Sequence, residues 1–121
     1  MHEFGITARI VDAVMGAAQE NGGNKVLKVD LRIGKLTFLN LEQVRYAYDL
    51  LVKGTLLVDS ELDIEEVEGV IKCINCLEQK EVHFKGECME PLPLFSCSNC
   101  GGKVEIIAGK ECLVKGIVVE T

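Results

Sequence analysis

The sequence lacks several features that whole classes of protein require. Its 121 residues include no tryptophan, two prolines and two histidines. No apolar run approaches the roughly 18 residues of a membrane-spanning helix, and the first residues are not the basic, apolar opening of a signal peptide. Basic residues are in deficit, since 13 Lys and Arg face 19 Asp and Glu for a formal charge of −6. We therefore expect a cytoplasmic protein with no membrane or nucleic-acid partner, because phosphate neutralisation needs a basic face.

Hydrophobic patterning predicts an α/β fold. Residues 4–20 carry apolar side chains at helical spacing, and the glycine- and asparagine-rich residues 21–24 end that helix. Residues 26–33 alternate between apolar and polar side chains, as a half-buried strand does. Asn40 is a suitable N-cap for a second helix, and Gln43 is placed to complete a capping box.

Two further strands complete the predicted sheet. One is expected around Leu62 and Ile64, and the other covers residues 112–119. The last strand is apolar on nearly both faces, which is typical of a strand in the middle of a sheet. The sequence therefore predicts a three-stranded sheet covered by two helices, with the last strand at its centre.

Residues 71–105 differ in composition from the rest of the chain. They hold five of the six cysteines and both prolines. A segment of about 35 residues is too short to build a core that is stable without a cross-link or a metal ion. We therefore predict that residues 1–70 and 106–121 form one α/β domain and that 71–105 form an inserted metal-binding domain.

Four cysteines make the most specific motif. Cys73 and Cys76 form one Cys-x-x-Cys pair, and Cys97 and Cys100 form another after 20 intervening residues. Each pair can present both sulfurs to one ion, and two pairs complete a tetrahedron, which predicts structural zinc. Such a site leaves no position for water, so it argues against a zinc hydrolase. A redox Cys-x-x-Cys normally occurs once and opens a helix, so two spaced pairs favour a metal site over a redox site.

The N-terminus is a second, weaker candidate metal site. Because His2 follows Met1 directly, the α-amine, the backbone nitrogen of His2 and its imidazole can chelate one ion. Nitrogen donors in a plane suit Ni(II) or Cu(II). The first N–H groups of a helix have no internal acceptor, so an amide here can be given up to a metal. The alternative is a solvated histidine near a frayed terminus.

Taken together, these residues resemble the HypA/HybF family of nickel metallochaperones for [NiFe]-hydrogenase maturation. The resemblance covers essentially the whole chain and is carried by Met1-His2-Glu3, Gly34-Lys35-Leu36-Thr37, Tyr46-Ala47-Tyr48, Cys73-x-x-Cys76, Cys97-x-x-Cys100-Gly101, Gly109-Lys110-Glu111 and Val119-Glu120. It implies an α/β nickel domain with an inserted zinc-ribbon-like domain, nickel at Met1, His2 and Glu3, and zinc at the four cysteines. It also implies a HypB-type GTPase and the hydrogenase large subunit as partners, with urease served by some members.

Four other features have an ordinary interpretation beside a functional one. His83 is a candidate extra ligand for nickel or zinc, although a solvated loop histidine is the simpler interpretation. Cys88 is a candidate minor ligand, and Cys112 is expected to be a small buried hydrophobe. The acidic residues 61–68 are expected to be a solvated strand face rather than a contact site for a basic partner.

The residues favour a metal carrier over an enzyme. A carrier must release its ion as well as bind it, and protonation of a terminal amine or imidazole weakens such a chelate. We therefore expect nickel binding to fall below about pH 6.5, the reference value for histidine. Two alternatives stay open: a zinc-ribbon adaptor that does not transfer nickel, and a cysteine-dependent redox or hydrolytic enzyme.

Overall fold

Two helices begin and end close to where the sequence predicts them. The computed structural model describes residues 2–82, 97 and 99–121, apart from the side chain of His2. Helix α1 spans His2–Glu20 and helix α2 spans Leu41–Leu51. The backbone N–H of Gly22, at φ 69°, donates to the carbonyl of Gln19 just beyond the end of α1. The predicted glycine stop is thereby confirmed, because glycine adopts positive φ without steric cost.

The chain divides into two compact units, and each is described by itself. Unit 1 comprises Met1–Arg32, Phe38–Glu65 and Cys112–Thr121, and unit 2 comprises Ile33–Thr37 and Glu66–Glu111. The predicted domain division at residues 71 and 105 stays a prediction.

Unit 1 holds a three-stranded sheet in the order β2-β1-β6. Strand β1 covers Lys25–Gly34, β2 covers Glu61–Val67 and β6 covers Cys112–Glu120. The fully buried side chains of Val26, Val29 and Val14 of α1 belong to its core. The predicted sheet with two helices is therefore confirmed.

Two details of this sheet differ from the prediction. The last strand was expected at the centre, but β1 lies there and β6 lies outside it. None of the nine residues of β6 is buried, so its apolar composition does not reflect burial on both faces. The alternation predicted over residues 26–33 places Leu27 on the same face as Val29, yet Leu27 is 39% exposed while its neighbour Val26 is buried. The strict alternation therefore fails at the start of β1.

Unit 2 holds a second three-stranded sheet in the order β4-β3-β5. Its strands are β3 at Gly69–Cys73, β4 at Gln79–Val82 and β5 at Val104–Ala108. Both neighbours pair with β3 antiparallel. A small apolar core of Leu36, Ile71 and Val82 supports this sheet, with Val104 and Ile106 packed against it. The sequence predicts a zinc-bound insert here, but its strands were not individually predicted.

Three glycines allow backbone segments of unit 2 to approach closely. A Cβ on Gly34 would lie 1.9 Å from the carbonyl oxygen of Gly109, and one on Gly109 would lie 2.6 Å from the Cα of Gly69. The backbone N–H of Leu36 donates to that same carbonyl of Gly109 across 2.8 Å. The motifs beginning at Gly34 and Gly109 therefore meet in space because neither position has a side chain.

Over the residues that the structure describes, neither helix is long and apolar enough to cross a membrane.

Candidate metal centres

Four cysteine sulfurs converge in unit 2. The sulfur atoms of Cys73, Cys76, Cys97 and Cys100 all lie within 4.8 Å of one another. The Sγ atoms of Cys73 and Cys100 are 3.4 Å apart, and those of Cys76 and Cys97 are 3.8 Å apart. A tetrahedral zinc ion with Zn–S bonds near 2.3 Å separates its ligand sulfurs by about 3.8 Å. The observed arrangement therefore fits one tetrahedral ion.

The first pair of cysteines follows strand β3 in a tight turn. The backbone N–H of Cys73 donates to the carbonyl of Glu78 across 2.9 Å, and the N–H of Leu77 donates back to the carbonyl of Cys73 across 3.0 Å. The N–H groups of Asn75 and Cys76 both point at the Sγ of Cys73, each at 3.4 Å. Charge-assisted hydrogen bonds of this kind stabilise a thiolate over a thiol.

The second pair repeats this turn. The N–H of Cys97 donates to the carbonyl of Gly102, and the N–H of Gly101 donates to the carbonyl of Cys97, both across 2.8 Å. The N–H of Asn99 lies 3.4 Å from the Sγ of Cys97. The residue after the second cysteine has positive φ in both turns, 75° at Gly101 and 64° at Leu77. Glycine adopts this conformation without steric cost at Gly101, whereas Leu77 adopts it at a steric cost.

The four thiols are not equivalent electrostatically. The hydrogen bond from the backbone N–H of Cys76, helped by that of Asn75, lowers the pKa of Cys73 to about 6. The pKa of Cys100 rises to about 11. The N–H of Gly102 lowers that pKa, but the hydrogen bond shared with Cys73, burial and the remaining thiols outweigh it. The thiolate of Cys73 therefore forms before that of Cys100, and a bound cation favours deprotonation of both.

The donor set decides what this centre can do. Four sulfurs match structural zinc and leave no position for a water molecule or a substrate. They would hold the ion between the turn after β3 and the turn before β5, and so would cross-link unit 2. The centre can stabilise the fold, but it offers no open site for hydrolysis.

The predicted nickel ligands lie at the start of unit 1. The backbone of His2 opens α1, while Met1 and the imidazole of His2 lie outside the described residues. The carboxylate of Glu3 accepts a hydrogen bond from the backbone N–H of Asn40 across 3.0 Å, and the carbonyl of Glu3 accepts one from the hydroxyl of Thr7 across 2.5 Å. The assignment of nickel to Met1, His2 and Glu3 stays a prediction.

The helix cap at Asn40 differs in one respect from the predicted capping box. The side chain of Asn40 accepts from the N–H of Gln43 across 3.1 Å, as expected. The acceptor for the N–H of Asn40 is Glu3 of α1. Sequence reasoning missed this contact because its partners are 37 residues apart, and no local pattern links them.

The remaining candidate residues are distributed as follows. His83 and Cys88 lie outside the described residues. Cys112 is exposed, so the expectation of a buried hydrophobe was wrong, because β6 does not lie at the sheet centre. Partial burial of its sulfur still raises the pKa of the Cys112 thiol.

Two acidic residues, one in β2 and one just beyond its end, bind basic side chains. Glu65 binds Lys115 across 3.1 Å and Arg32 across 2.9 Å, which lowers the pKa of its carboxyl. In unit 2, Glu68 binds Lys35 across 2.7 Å. These exposed pairs support the interpretation of the acidic run as a solvated strand face.

Comparison with known proteins gives a consistent result. A family model described as "Hydrogenase/urease nickel incorporation, metallochaperone, hypA" matches residues 1–119. The hydrogenase maturation factor HypA of Methanothermobacter thermautotrophicus is 37% identical over 127 residues, covering 99% of this chain and 98% of that protein. The HypA of Pelodictyon phaeoclathratiforme is 33% identical, with 99% and 97% covered.

Two solved structures share the fold. The solution structure of the Ni metallochaperone HypA from Helicobacter pylori has a TM-score of 0.66 at 18% identity and covers 97% of this chain and 96% of its own. A second solution structure, of HypA protein, has a TM-score of 0.68 at 21% identity, with 99% and 97% covered.

Proposed function

This chain belongs to the HypA family of hydrogenase/urease nickel-incorporation metallochaperones, and we propose that it carries Ni(II) on Met1, His2 and Glu3. In this proposal the protein is an accessory factor without catalytic activity. It delivers the ion to the hydrogenase large subunit in the cytoplasm, together with a HypB-type GTPase, and urease is a second client.

The observation that carries the proposal is the position of His2 at the first residue of α1. The backbone N–H groups of the first helical turn have no acceptor within the helix, so a metal can replace their protons without breaking an α-helical hydrogen bond. The α-amine and the imidazole have reference pKa values of about 8 and 6.5, and both can lose a proton near neutrality. The N-terminal segment can therefore supply several nitrogen donors at once.

Ligand chemistry separates the two metals. Nitrogen donors arranged in a plane favour Ni(II), whereas four thiolates in a tetrahedron favour zinc. The proposed nickel ligands belong to unit 1, and the four cysteines belong to unit 2. In the proposed function the zinc ion is permanent and stabilises unit 2, while the nickel ion is cargo.

Release follows from the same chemistry. Each nitrogen ligand must be deprotonated to bind, so acidification weakens nickel binding. A chelate at the end of a chain is also open to the ligands of a client protein, which can replace its donors one at a time. We expect the affinity for nickel to fall steeply below about pH 6.5, where the imidazole of His2 takes up its proton.

A nickel titration of the zinc-loaded protein tests this proposal. The native protein is compared with a version carrying one extra residue before Met1 and with His83→Ala as a control for another histidine. The extension should abolish tight nickel binding and leave zinc content unchanged, and the control should bind as the native protein does. Equal nickel binding by the extended and native proteins would favour the zinc-ribbon adaptor instead.

A further inference from the structure

The four clustered sulfurs of unit 2 differ in their exposure. Cys73 is buried, Cys97 is intermediate, and Cys76 and Cys100 are exposed. A cysteine must be deprotonated to bind zinc, so all four are thiolates in the zinc centre of the proposed function. Their reactivity toward an electrophile then depends on access and on how well hydrogen bonds stabilise each negative charge. Exposure alone leaves two candidates for the most reactive sulfur, Cys76 and Cys100.

Hydrogen bonding separates Cys76 from the other three sulfurs. The other three accept from backbone N–H groups: Cys73 from Asn75 and Cys76, Cys97 from Asn99, and Cys100 from Gly102. Within the described residues, no backbone N–H donates to the Sγ of Cys76. Its donor is the side-chain amide of Asn99 across 4.0 Å, compared with 3.4 Å for the backbone contacts to Cys73 and Cys97. The negative charge on Cys76 is therefore the least stabilised of the four.

Cys100 is exposed but better protected. The backbone N–H of Gly102 donates to its sulfur and lowers its pKa, whereas the hydrogen bond shared with Cys73 and burial raise that pKa. Zinc replaces the contact between thiols with zinc–sulfur bonds, while the N–H contact can persist. A Cβ on Gly102 would lie 2.4 Å from the Nδ2 of Asn75 and 3.3 Å from the Sγ of Cys100, so the amide of Asn75 packs beside this sulfur.

The backbone adds a second difference between the two exposed sulfurs. Cys76 is followed by Leu77 at φ 64°, and Cys100 is followed by Gly101 at φ 75°. A leucine pays a steric cost for positive φ that a glycine does not. Release of Cys76 from the ion would let Leu77 relax to a negative φ, whereas release of Cys100 would relieve no such strain. Zinc loss through Cys76 is therefore favoured on both counts.

We propose that Cys76 is the modification site of the zinc centre, the sulfur that a small, uncharged electrophile attacks first. Its thiolate forms a sulfur–carbon bond, the bond from that carbon to the leaving group breaks, and the electron pair departs with the leaving anion. The product is a neutral thioether, which is a weaker zinc ligand than a thiolate, so the zinc ion is lost. This inference rests on zinc at the four cysteines, as in the proposed function.

The amide of Asn99 restrains this reaction in the proposal, because it is the donor to the thiolate of Cys76. Asn99 belongs to the second turn and Cys76 to the first, so this contact also joins the two turns. An uncharged reagent is specified because four thiolates and one Zn²⁺ carry a net charge of about −2, which repels anions. Asn99 is thus a positioning residue for the sulfur that reacts.

Limited alkylation of the zinc-loaded full chain tests the proposal. Zinc content is measured first, and substoichiometric iodoacetamide is then added near neutral pH while a chelating dye follows zinc release. Peptide mass spectrometry locates the carbamidomethyl group. Among the four clustered sulfurs, Cys76 should be labelled first and in step with zinc release. Label on Cys112 is counted separately, because Cys112 lies outside the sulfur cluster and its alkylation should release no zinc.

Two matched variants test the role of the amide. Asn99→Ala removes the donor to Cys76 and should raise the rates of Cys76 labelling and zinc release about two- to threefold. Asn75→Ala makes the same change at the equivalent position of the first turn, where no described hydrogen bond joins the side chain to a sulfur, and should leave the labelling of Cys76 unchanged. Equal zinc content and circular dichroism establish that both variants are folded.

The order of labelling in the unsubstituted chain decides the proposal without either variant. First labelling of Cys73, Cys97 or Cys100 in a zinc-loaded chain overturns it and leaves the proposed function intact. A rate of Cys76 labelling that Asn99→Ala leaves unchanged overturns the role of the amide. A chain that holds no zinc before the reagent is added contradicts the zinc centre of the proposed function and this inference together.

Discussion

The carboxylate of Glu3 accepts a hydrogen bond from the backbone N–H of Asn40 across 3.0 Å. Glu3 lies in the first turn of α1, and Asn40 is the N-cap of α2. The third residue of the proposed nickel-binding segment is thus tied to the start of the second helix. Because this carboxylate already has a partner, nickel coordination through its oxygen would compete with that hydrogen bond.

Removing the cap at Asn40 should destabilise unit 1. In Asn40→Ala the N–H of Gln43 loses its acceptor, and loss of an N-cap typically lowers the free energy of unfolding by about 1 kcal/mol. Asn40→Ser keeps a good cap without adding a charge beside the carboxylate of Glu3, and it is the matched control. Thermal unfolding of the zinc-loaded proteins measures the difference, and equal midpoints for the two variants would show that the cap contributes nothing.

Replacing Gly34 should destabilise unit 2 more than a glycine substitution normally does. The Cβ of Gly34→Ala would overlap the carbonyl of Gly109, and steric overpacking costs about 1–3 kcal/mol. Gly16 lies in the middle of α1 with nothing within 4 Å of its Cβ position, so Gly16→Ala should stabilise by about 0.5–1 kcal/mol. Denaturant unfolding compares the two variants. A stabilising Gly34→Ala would contradict the close backbone approach.

Loss of one zinc ligand should unfold the sheet of unit 2. Cys73→Ser removes a thiolate at the end of β3, and structural zinc contributes folding free energy directly. We expect zinc content to fall from about one ion per chain to near zero, with loss of the amide signals of β3, β4 and β5. Cys112→Ser is the control, since Cys112 lies outside the sulfur cluster. Full zinc retention by Cys73→Ser would contradict the four-sulfur site.

The low pKa of Cys73 predicts how many protons zinc displaces. At pH 7 a thiol of pKa about 6 is mostly ionised, so Cys73 has already lost its proton before zinc binds. Zinc binding should therefore release about one proton fewer at pH 7 than at pH 5, where Cys73 is protonated. The lowered pKa stabilises the zinc-free fold fully above the ordinary thiol pKa of about 8.5, and this stabilisation is lost as the pH falls from there through about 6. An indicator-dye titration at the two pH values counts the protons. Equal proton release at pH 7 and pH 5 would show that the N–H contacts to Cys73 form only with zinc.

Features encoded within a short window were predictable from the sequence. The stop of α1 at Gly22, the cap at Asn40 and the convergence of the Cys-x-x-Cys pairs each depend on residues close together in the chain or on a recognised spacing. The position of β6 was not predictable, because an apolar composition indicates a surface to be covered without telling which part of the molecule covers it. The contact between Glu3 and Asn40 depends on tertiary packing and leaves no local signal.

X-ray absorption at the nickel and zinc edges of one doubly loaded sample distinguishes the two proposed sites, in which nitrogen at the N-terminus holds nickel and sulfur holds zinc. We expect a nitrogen and oxygen shell without sulfur at nickel, and four sulfurs near 2.3 Å at zinc. Sulfur in the nickel shell, or a zinc shell that loses sulfur when nickel is added, would contradict it.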